Sequence, residues 1–232
     1  MSDGLAAPRI DAVFAGGPKT LQDDRGPWRS SIDKQPLTGP VEVTPRGIVG
    51  DKATQRFHGG PDAALCIHLA DHYAFWRERY GIDLKPGAVG ENLTISGLTE
   101  DNIFVGDIVR LGSVLAQVSG PRVPCANQAR HVHRKDWVKL SIRENRTGLY
   151  MRILEPGTLQ PGDQWLPVDR RNDTASIPAI NDCMYLHFDP AFAERMLHMP
   201  ALTAWWKQQA AGKLAEHKDF EANSLFAPSD SR

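Results

Sequence analysis

Up to about Val168 the chain interrupts itself every 6 to 12 residues with Gly, Pro, Asn or Asp. Such dense punctuation limits regular structure to short pieces. The runs between the breaks are β-prone: Ile10 to Phe14, Val41 to Val43, Leu65 to His68, Leu93 to Ile95, Asp107 to Leu111, Leu115 to Val118, Ile153 to Leu154 and Gln164 to Val168. Many short strands separated by turn residues predict an all-β barrel or sandwich rather than βαβ units. Gly112-Ser113 between two apolar runs reads as a hairpin turn, and Pro156-Gly157 and Pro161-Gly162-Asp163 as further turns.

Two helices are expected inside this β region. One runs from Asp71, as N-cap, to Tyr80, with Gly81 as its stop; the other spans Lys135 to Glu144. From about Asn172 the apolar positions recur at helical spacing. Asp173 or Thr174 is placed to cap a helix reaching Tyr185, Pro190 to start a second (Ala191 to His198), and Pro200 to open a third through Leu214. The expected division is a β-barrel domain over 1–170, three helices over 171–217 and a frayed tail over 218–232.

The 232 residues carry a formal net charge of −1, which removes the electrostatic argument for non-specific binding to nucleic acid or an anionic membrane. No apolar stretch approaches the roughly 20 residues needed to cross a bilayer, and no secretory signal is evident. Three cysteines (Cys66, Cys125, Cys183) form no CxxC pair and no disulfide framework. A cytoplasmic protein is the simplest expectation. No GxSxG, P-loop or dinucleotide fingerprint is present, which weakens the common hydrolase and kinase readings.

The most informative stretch is Ser119-Gly-Pro-Arg-Val-Pro-Cys125. Its prolines restrict the backbone and so define the position of the thiol. Arg122, three residues earlier, is placed to favour the thiolate, which is both a nucleophile and a soft metal ligand; the alternative is a small buried core residue. His58-Gly59-Gly60-Pro61-Asp62, with Arg56 upstream, reads as an anion nest or as a plain tight turn. Glu91 and Asn92 either orient a ligand or close an Asx turn. Cys66 and Cys183 read as packing residues, His131 and His133 as solvated loop residues, and His68 and His72 lack an HExxH glutamate.

Taken in order, Gly50-Asp51, Phe57-His-Gly-Gly-Pro-Asp62, Gly90-Glu-Asn-Leu93, Val105-Gly-Asp107, Pro121-Arg-Val-Pro-Cys125 and Thr147-Gly-Leu-Tyr-Met-Arg152 resemble the MOSC domain family, closest to its bacterial YiiM-like subfamily. The resemblance runs from about Ile10 to Leu214. It implies a mainly β chain, a barrel of the pyruvate-kinase β-barrel-like type followed by a small three-helix unit. It implies molybdenum cofactor (Mo-molybdopterin) binding, with Cys125 as metal ligand and catalytic centre. It also implies reduction of N-hydroxylated compounds such as 6-hydroxylaminopurine, a detoxifying activity, by oxygen-atom transfer. The electron donor would be a flavoprotein reductase; pyridoxal phosphate is not expected, and an oligomer is possible. With that cofactor, Arg56, Arg122, Arg152 and the amides of Gly59 and Gly60 are candidates for its phosphate. Glu91 and Asn92 are candidates for the pterin, and His58 for phosphate or for proton relay. After the cysteine, where family members often carry a lysine-leucine pair, this chain reads Ala126-Asn127-Gln128. The competing expectations are a non-catalytic cofactor carrier or sensor, a sulfur-transfer protein with a persulfide on Cys125, and an interaction module docking through its helices.

Overall fold

The computed structural model describes residues 7–53, 60–171 and 173–225. Its strands are β1 (Arg9–Ala15), β2 (Lys19–Asp23), β3 (Gly26–Ser30), β4 (Gln35–Leu37), β5 (Val41–Thr44), β6 (Gly47–Ile48), β7 (Leu65–Leu69), β8 (Leu93–Ser96), β9 (Ile108–Leu111), β10 (Val114–Pro121), β11 (Leu149–Glu155), β12 (Gly157–Leu159) and β13 (Trp165–Asp169). The helices are α1 (Ala70–Tyr80), α2 (Ala126–His131), α3 (Trp137–Arg143), α4 (Ile177–Asn181), α5 (Pro190–Leu197) and α6 (Ala204–Leu225). The chain is mainly β with a few helices, the expected class.

Eight strands form the main sheet in the order β13-β9-β10-β11-β7-β8-β1-β4. Each neighbouring pair is antiparallel except β7 with β8. A parallel pair needs a crossover, and α1 supplies it. The sheet curls back on itself: Ile10 N–H donates to Asp163 O (2.8 Å), Gly162 N–H to Ile10 O (2.7 Å) and Trp165 N–H to Pro8 O (2.8 Å), tying β1 to the start of β13. Two-residue alternation sets the faces of β11, where Leu149, Met151 and Ile153 enter the core while Tyr150 and Arg152 share the opposite face.

One hydrophobic core joins the sheet residues Ile10, Leu65, Ile67, Leu93 and Leu149 to Ile177, Met196, Leu202, Trp206 and Leu214 of the C-terminal helices. Each large apolar side chain fully buried there contributes roughly 1.5–3 kcal/mol. A second cluster, Trp76, Ile82, Val89, Ala129, Val132, Trp137 and Leu140, packs α1, α2 and α3 together.

All eight expected strands form, and Gly112-Ser113 turns β9 into β10 with Leu111 opposite Val114. Gly81 ends α1 in the left-handed conformation (φ 64°), but Leu69 rather than Asp71 holds the N-cap. The first C-terminal helix starts at Ile177, after Ser176, and ends in a π-helical turn over Asp182–Leu186. The third starts at Ala204 rather than Pro200 and runs to Leu225, so residues 218–225 are helical rather than frayed. No Gly or Pro interrupts that stretch, so nothing in it stops the helix. No helix among the described residues is long and apolar enough to cross a membrane.

Candidate functional site

The end of β1, the starts of β7 and β8, the end of β10 and the start of β11 converge at one end of the sheet. Between them lies a cavity of about 510 Å³, within the size range of small-molecule sites. Cys66, Gly90, Asn92, Arg122, Cys125 and Tyr150 line it on the sheet side. Loop residues Ser30, Lys34, Arg46, Asp51, Lys52 and Gly60 complete the wall. Four of these side chains are cationic (Lys34, Arg46, Lys52, Arg122) and one, Asp51, is a carboxylate. The space favours an anion.

Cys125 reaches this cavity because β10 ends at Pro121 and the chain turns directly into α2, with Cys125 as its N-cap residue in extended conformation. A register shift between Val118 and Gly120 re-aims the end of β10, as bulges beside functional sites do. The C-terminal unit holds the turn in place. Trp206 Nε1–H donates to Pro121 O (3.0 Å), Thr203 N–H donates to Ser119 O (3.1 Å), and a Cβ on Gly120 would press on the Trp206 ring at 3.0 Å. Cys125 is partly buried and lies on the cavity wall.

Arg122 is 7% exposed. Its Nη2 donates to Val89 O (2.6 Å), while Nη1 is buried without a hydrogen-bond partner. An orphaned guanidinium donor at that depth is costly unless a ligand accepts from it. Burial pulls the Arg122 pKa down, but Cys66, Tyr150, Cys125 and Glu91 around it outweigh that and hold it above the ordinary arginine value. Burial also raises the pKa of Tyr150, so its hydroxyl keeps its proton at neutral pH.

Asn92 is a brace. Its Oδ1 accepts from Cys66 N–H (3.1 Å), and its Nδ2 donates to Phe14 O (3.2 Å) and Asp51 Oδ2 (2.8 Å). Asp51 in turn accepts from Lys34 Nζ (2.6 Å) and Gly16 N–H (2.8 Å), fixing three loops around the cavity. Glu91 is fully buried and lies behind the wall. Its Oε1 accepts from the Tyr73 hydroxyl, from Gly87 N–H (2.7 Å) and from Thr94 Oγ1 (3.0 Å), so it closes the turn before β8 and ties that turn to α1.

Arg152 also stands away from the cavity lining. Its Nε donates to Asp62 Oδ1 (2.9 Å) and its Nη1 to Gln117 Oε1 (2.8 Å), the residue opposite it in the sheet. Ser119 Oγ donates to Asp62 O (2.5 Å). Arg152 and Ser119 together anchor the turn that carries Gly60. Gly60 (φ 112°) lines the cavity with open space where a Cβ would stand. Arg56, His58 and Gly59 lie outside the described residues.

Several wall residues escaped the sequence reading. Cys66, read as packing, is buried yet lies on the cavity wall, and burial raises its pKa. Lys34 and Arg46 belong to loops with no motif, Lys52 directly follows Gly50-Asp51, and only the fold gathers the three. Asn127, where the sequence departs from the family pattern, is also on the wall. Among the described residues no group of three His, Cys, Asp or Glu could hold a metal ion by themselves. A metal here would rely on Cys125 and on a ligand-borne donor set.

Residues 54–165 match the MOSC domain. The chain is 37% identical over 194 residues to the YflK protein of Bacillus subtilis (strain 168), covering 83% of this chain and 88% of that protein. The chain belongs to the MOSC family. Within it, the crystal structure of YiiM from Geobacillus stearothermophilus is similar at a TM-score of 0.76 and 34% identity, over 89% of this chain and 99% of that one. A protein named Reductase from Gibberella moniliformis (strain M3125 / FGSC 7600) is 36% identical over 142 residues, 60% of this chain and 25% of that protein. The expected MOSC membership and YiiM-like architecture therefore hold.

Proposed function

We propose that this MOSC protein is a molybdenum-cofactor-dependent reductase of N-hydroxylated compounds, with Cys125 as the protein ligand to the metal. The observation that carries the reading is one cavity lined by both the Cys125 thiol and Arg122, whose Nη1 is buried and unpartnered. A soft thiolate suits a metal otherwise held by the sulfurs of its pterin, and the cationic wall suits the terminal phosphate of that pterin. When bound, the cofactor supplies the oxygen-accepting centre for R–NH–OH + 2 e⁻ + 2 H⁺ → R–NH₂ + H₂O, with electrons from a flavoprotein reductase.

The chain supplies position and charge. Arg122, Lys52 and Arg46 hold the anionic end, and the Lys34–Asp51–Asn92 network keeps the mouth in shape. Glu91 fixes the loop that presents Gly90. Tyr150 is not a base, because burial keeps it protonated. His58, two residues before Gly60, carries the side chain whose ordinary pKa allows it to pass a proton at neutral pH. The deciding experiment replaces Cys125 with Ser. Serine is favoured at an N-cap, so α2 should survive. The expected result is wild-type secondary structure and melting, loss of molybdenum by plasma mass spectrometry, and loss of 6-hydroxylaminopurine reduction. Full activity in the variant overturns the reading, as does wild-type protein carrying an extra sulfur on Cys125 and no molybdenum.

A further inference from the structure

Cys125 borders two spaces. Inward lies the cavity just described; outward lies an open groove of about 720 Å³. The groove floor is apolar, formed by Pro124, Ala126, Ala129 and Val138, and its charged members are Arg25 and Lys135. Neither cation forms an ion pair among the described residues, and no carboxylate lines the groove. The nearest acidic side chains in sequence to either cation include Asp23 and Asp136. Arg130 holds Asp23 through two 2.6 Å hydrogen bonds, and Arg134 holds Asp136 through two at 2.9 Å. The third, Asp24, is outside the groove lining.

Arg25 is exposed, and the fold brings it to the groove. It sits in the tight turn between β2 and β3, and that turn is clamped to α2. Besides gripping Asp23, Arg130 donates to Gly26 O (3.2 Å), and its guanidinium lies 4.5 Å from the centre of the Trp28 ring. Lys135 stands between α2 and α3, which the hydrogen bond from Trp137 Nε1–H to Gln128 Oε1 (3.2 Å) ties together. The result is an apolar floor ending at Cys125, with two cations that form no ion pair among the described residues.

That combination selects a planar, weakly polar body bearing an anionic arm. We propose that the outer groove is the substrate subsite and that the substrate class is the nucleotide form of an N-hydroxylated base. The ring lies on the floor with its N–O group towards Cys125, and the 5′-phosphate meets Arg25 and Lys135. The assignment rests on Cys125 marking the reacting centre, as proposed above, and identifies what approaches it from outside.

The test uses the full chain and an unreactive probe, adenosine 5′-monophosphate, measured by calorimetric titration beside adenosine and inorganic phosphate. The nucleotide is expected to bind at least about tenfold tighter than adenosine, the size of a charge-assisted hydrogen-bond contribution. Added salt should erode that advantage, and the double variant Arg25→Gln, Lys135→Gln should reduce it to the adenosine level. Equal binding of nucleotide and nucleoside overturns the proposal. So does nucleotide binding that survives the double variant, or nucleotide affinity no greater than that of inorganic phosphate. Loss through Arg122→Gln but not through the double variant would place the nucleotide in the inner cavity and likewise overturn it. Probe binding needs no turnover, so failure here is distinct from failure of the reductase reading, which the Cys125→Ser activity test decides.

Discussion

Glu100 is buried in a cluster with His68 and His72. Its Oε1 accepts from Gly148 N–H (2.7 Å) and lies 3.8 Å from His72 Nε2, while the two imidazole rings are 4.7 Å apart. Burial pushes the Glu100 pKa from 4.5 up to about 8, against the opposing pull of the Gly148 amide and Arg146. Burial lowers His68 from 6.5 to about 3 and puts His72 well below its ordinary value, with Arg146 adding to both. At neutral pH the folded chain therefore holds a protonated acid and two neutral imidazoles. Below pH 6.5 the unfolded chain binds protons on both histidines that the folded chain does not, so stability falls with acid. Between pH 4.5 and 8 the folded chain keeps a proton on Glu100 that the unfolded chain releases, so this contribution falls as pH rises. The cluster's net contribution peaks near pH 6.5, with slopes of about 1.4 kcal/mol per pH unit per proton. Urea midpoints from pH 5 to 9 should show that peak, and Glu100→Gln should remove the descent between pH 6.5 and 8. An unchanged descent in the variant would show that Glu100 does not titrate as its burial requires.

At the level of elements, the β2–β3 hairpin and α2 depend on each other. The hairpin pairs Leu21 with Trp28 but is otherwise polar, too sparse a pattern to announce strands. Helix α2, six residues long, is too short for its periodicity to be read. Their link, the Asp23–Arg130 pair, spans 107 residues of sequence, and no local pattern discloses it. Arg130 holds the Asp23 carboxyl down at about 2, mainly through its side-chain hydrogen bond. Asp23→Asn should loosen the hairpin without unfolding the chain. Amide exchange over residues 19–30 is expected to speed up about tenfold by local opening, with little change in global melting. A large drop in melting temperature with uniform exchange would show that the clamp supports the whole fold instead.

For the whole molecule, the C-terminal helices are part of the barrel's core and of the site's support. Trp206 is buried among sheet residues and hydrogen-bonded to the carbonyl that ends β10. Trp206→Ala is expected to cost about 3–5 kcal/mol, measurable by urea denaturation, and to release the Cys125 turn. A chain ending at Val168 would leave the sheet residues that face Ile177, Met196 and Leu202 in water. It should show no single cooperative unfolding transition. A sharp two-state melt from that truncated chain would mean that the barrel folds without its helices.

Eight of the thirteen strands, most turns and the Cys125 loop were legible in the sequence because Gly and Pro constrain the backbone locally, whatever lies around them. The shift to helical spacing after residue 172 was legible for the same reason, since a periodicity is a property of the segment itself. The set of side chains that share the cavity was not. Arg152 and Glu91 have the chemistry of ligands, yet the sheet register gives Arg152 to Asp62 and Gln117, and burial gives Glu91 to Tyr73, Gly87 and Thr94. Lys34 and Arg46 come from loops with no motif, and with Lys52 they meet Arg122 only because distant strands end at the same place. Local sequence determined which backbone shapes were possible. Long-range pairing decided which charges were already matched and which were left for a ligand, because that depends on neighbours that only the closed sheet brings together.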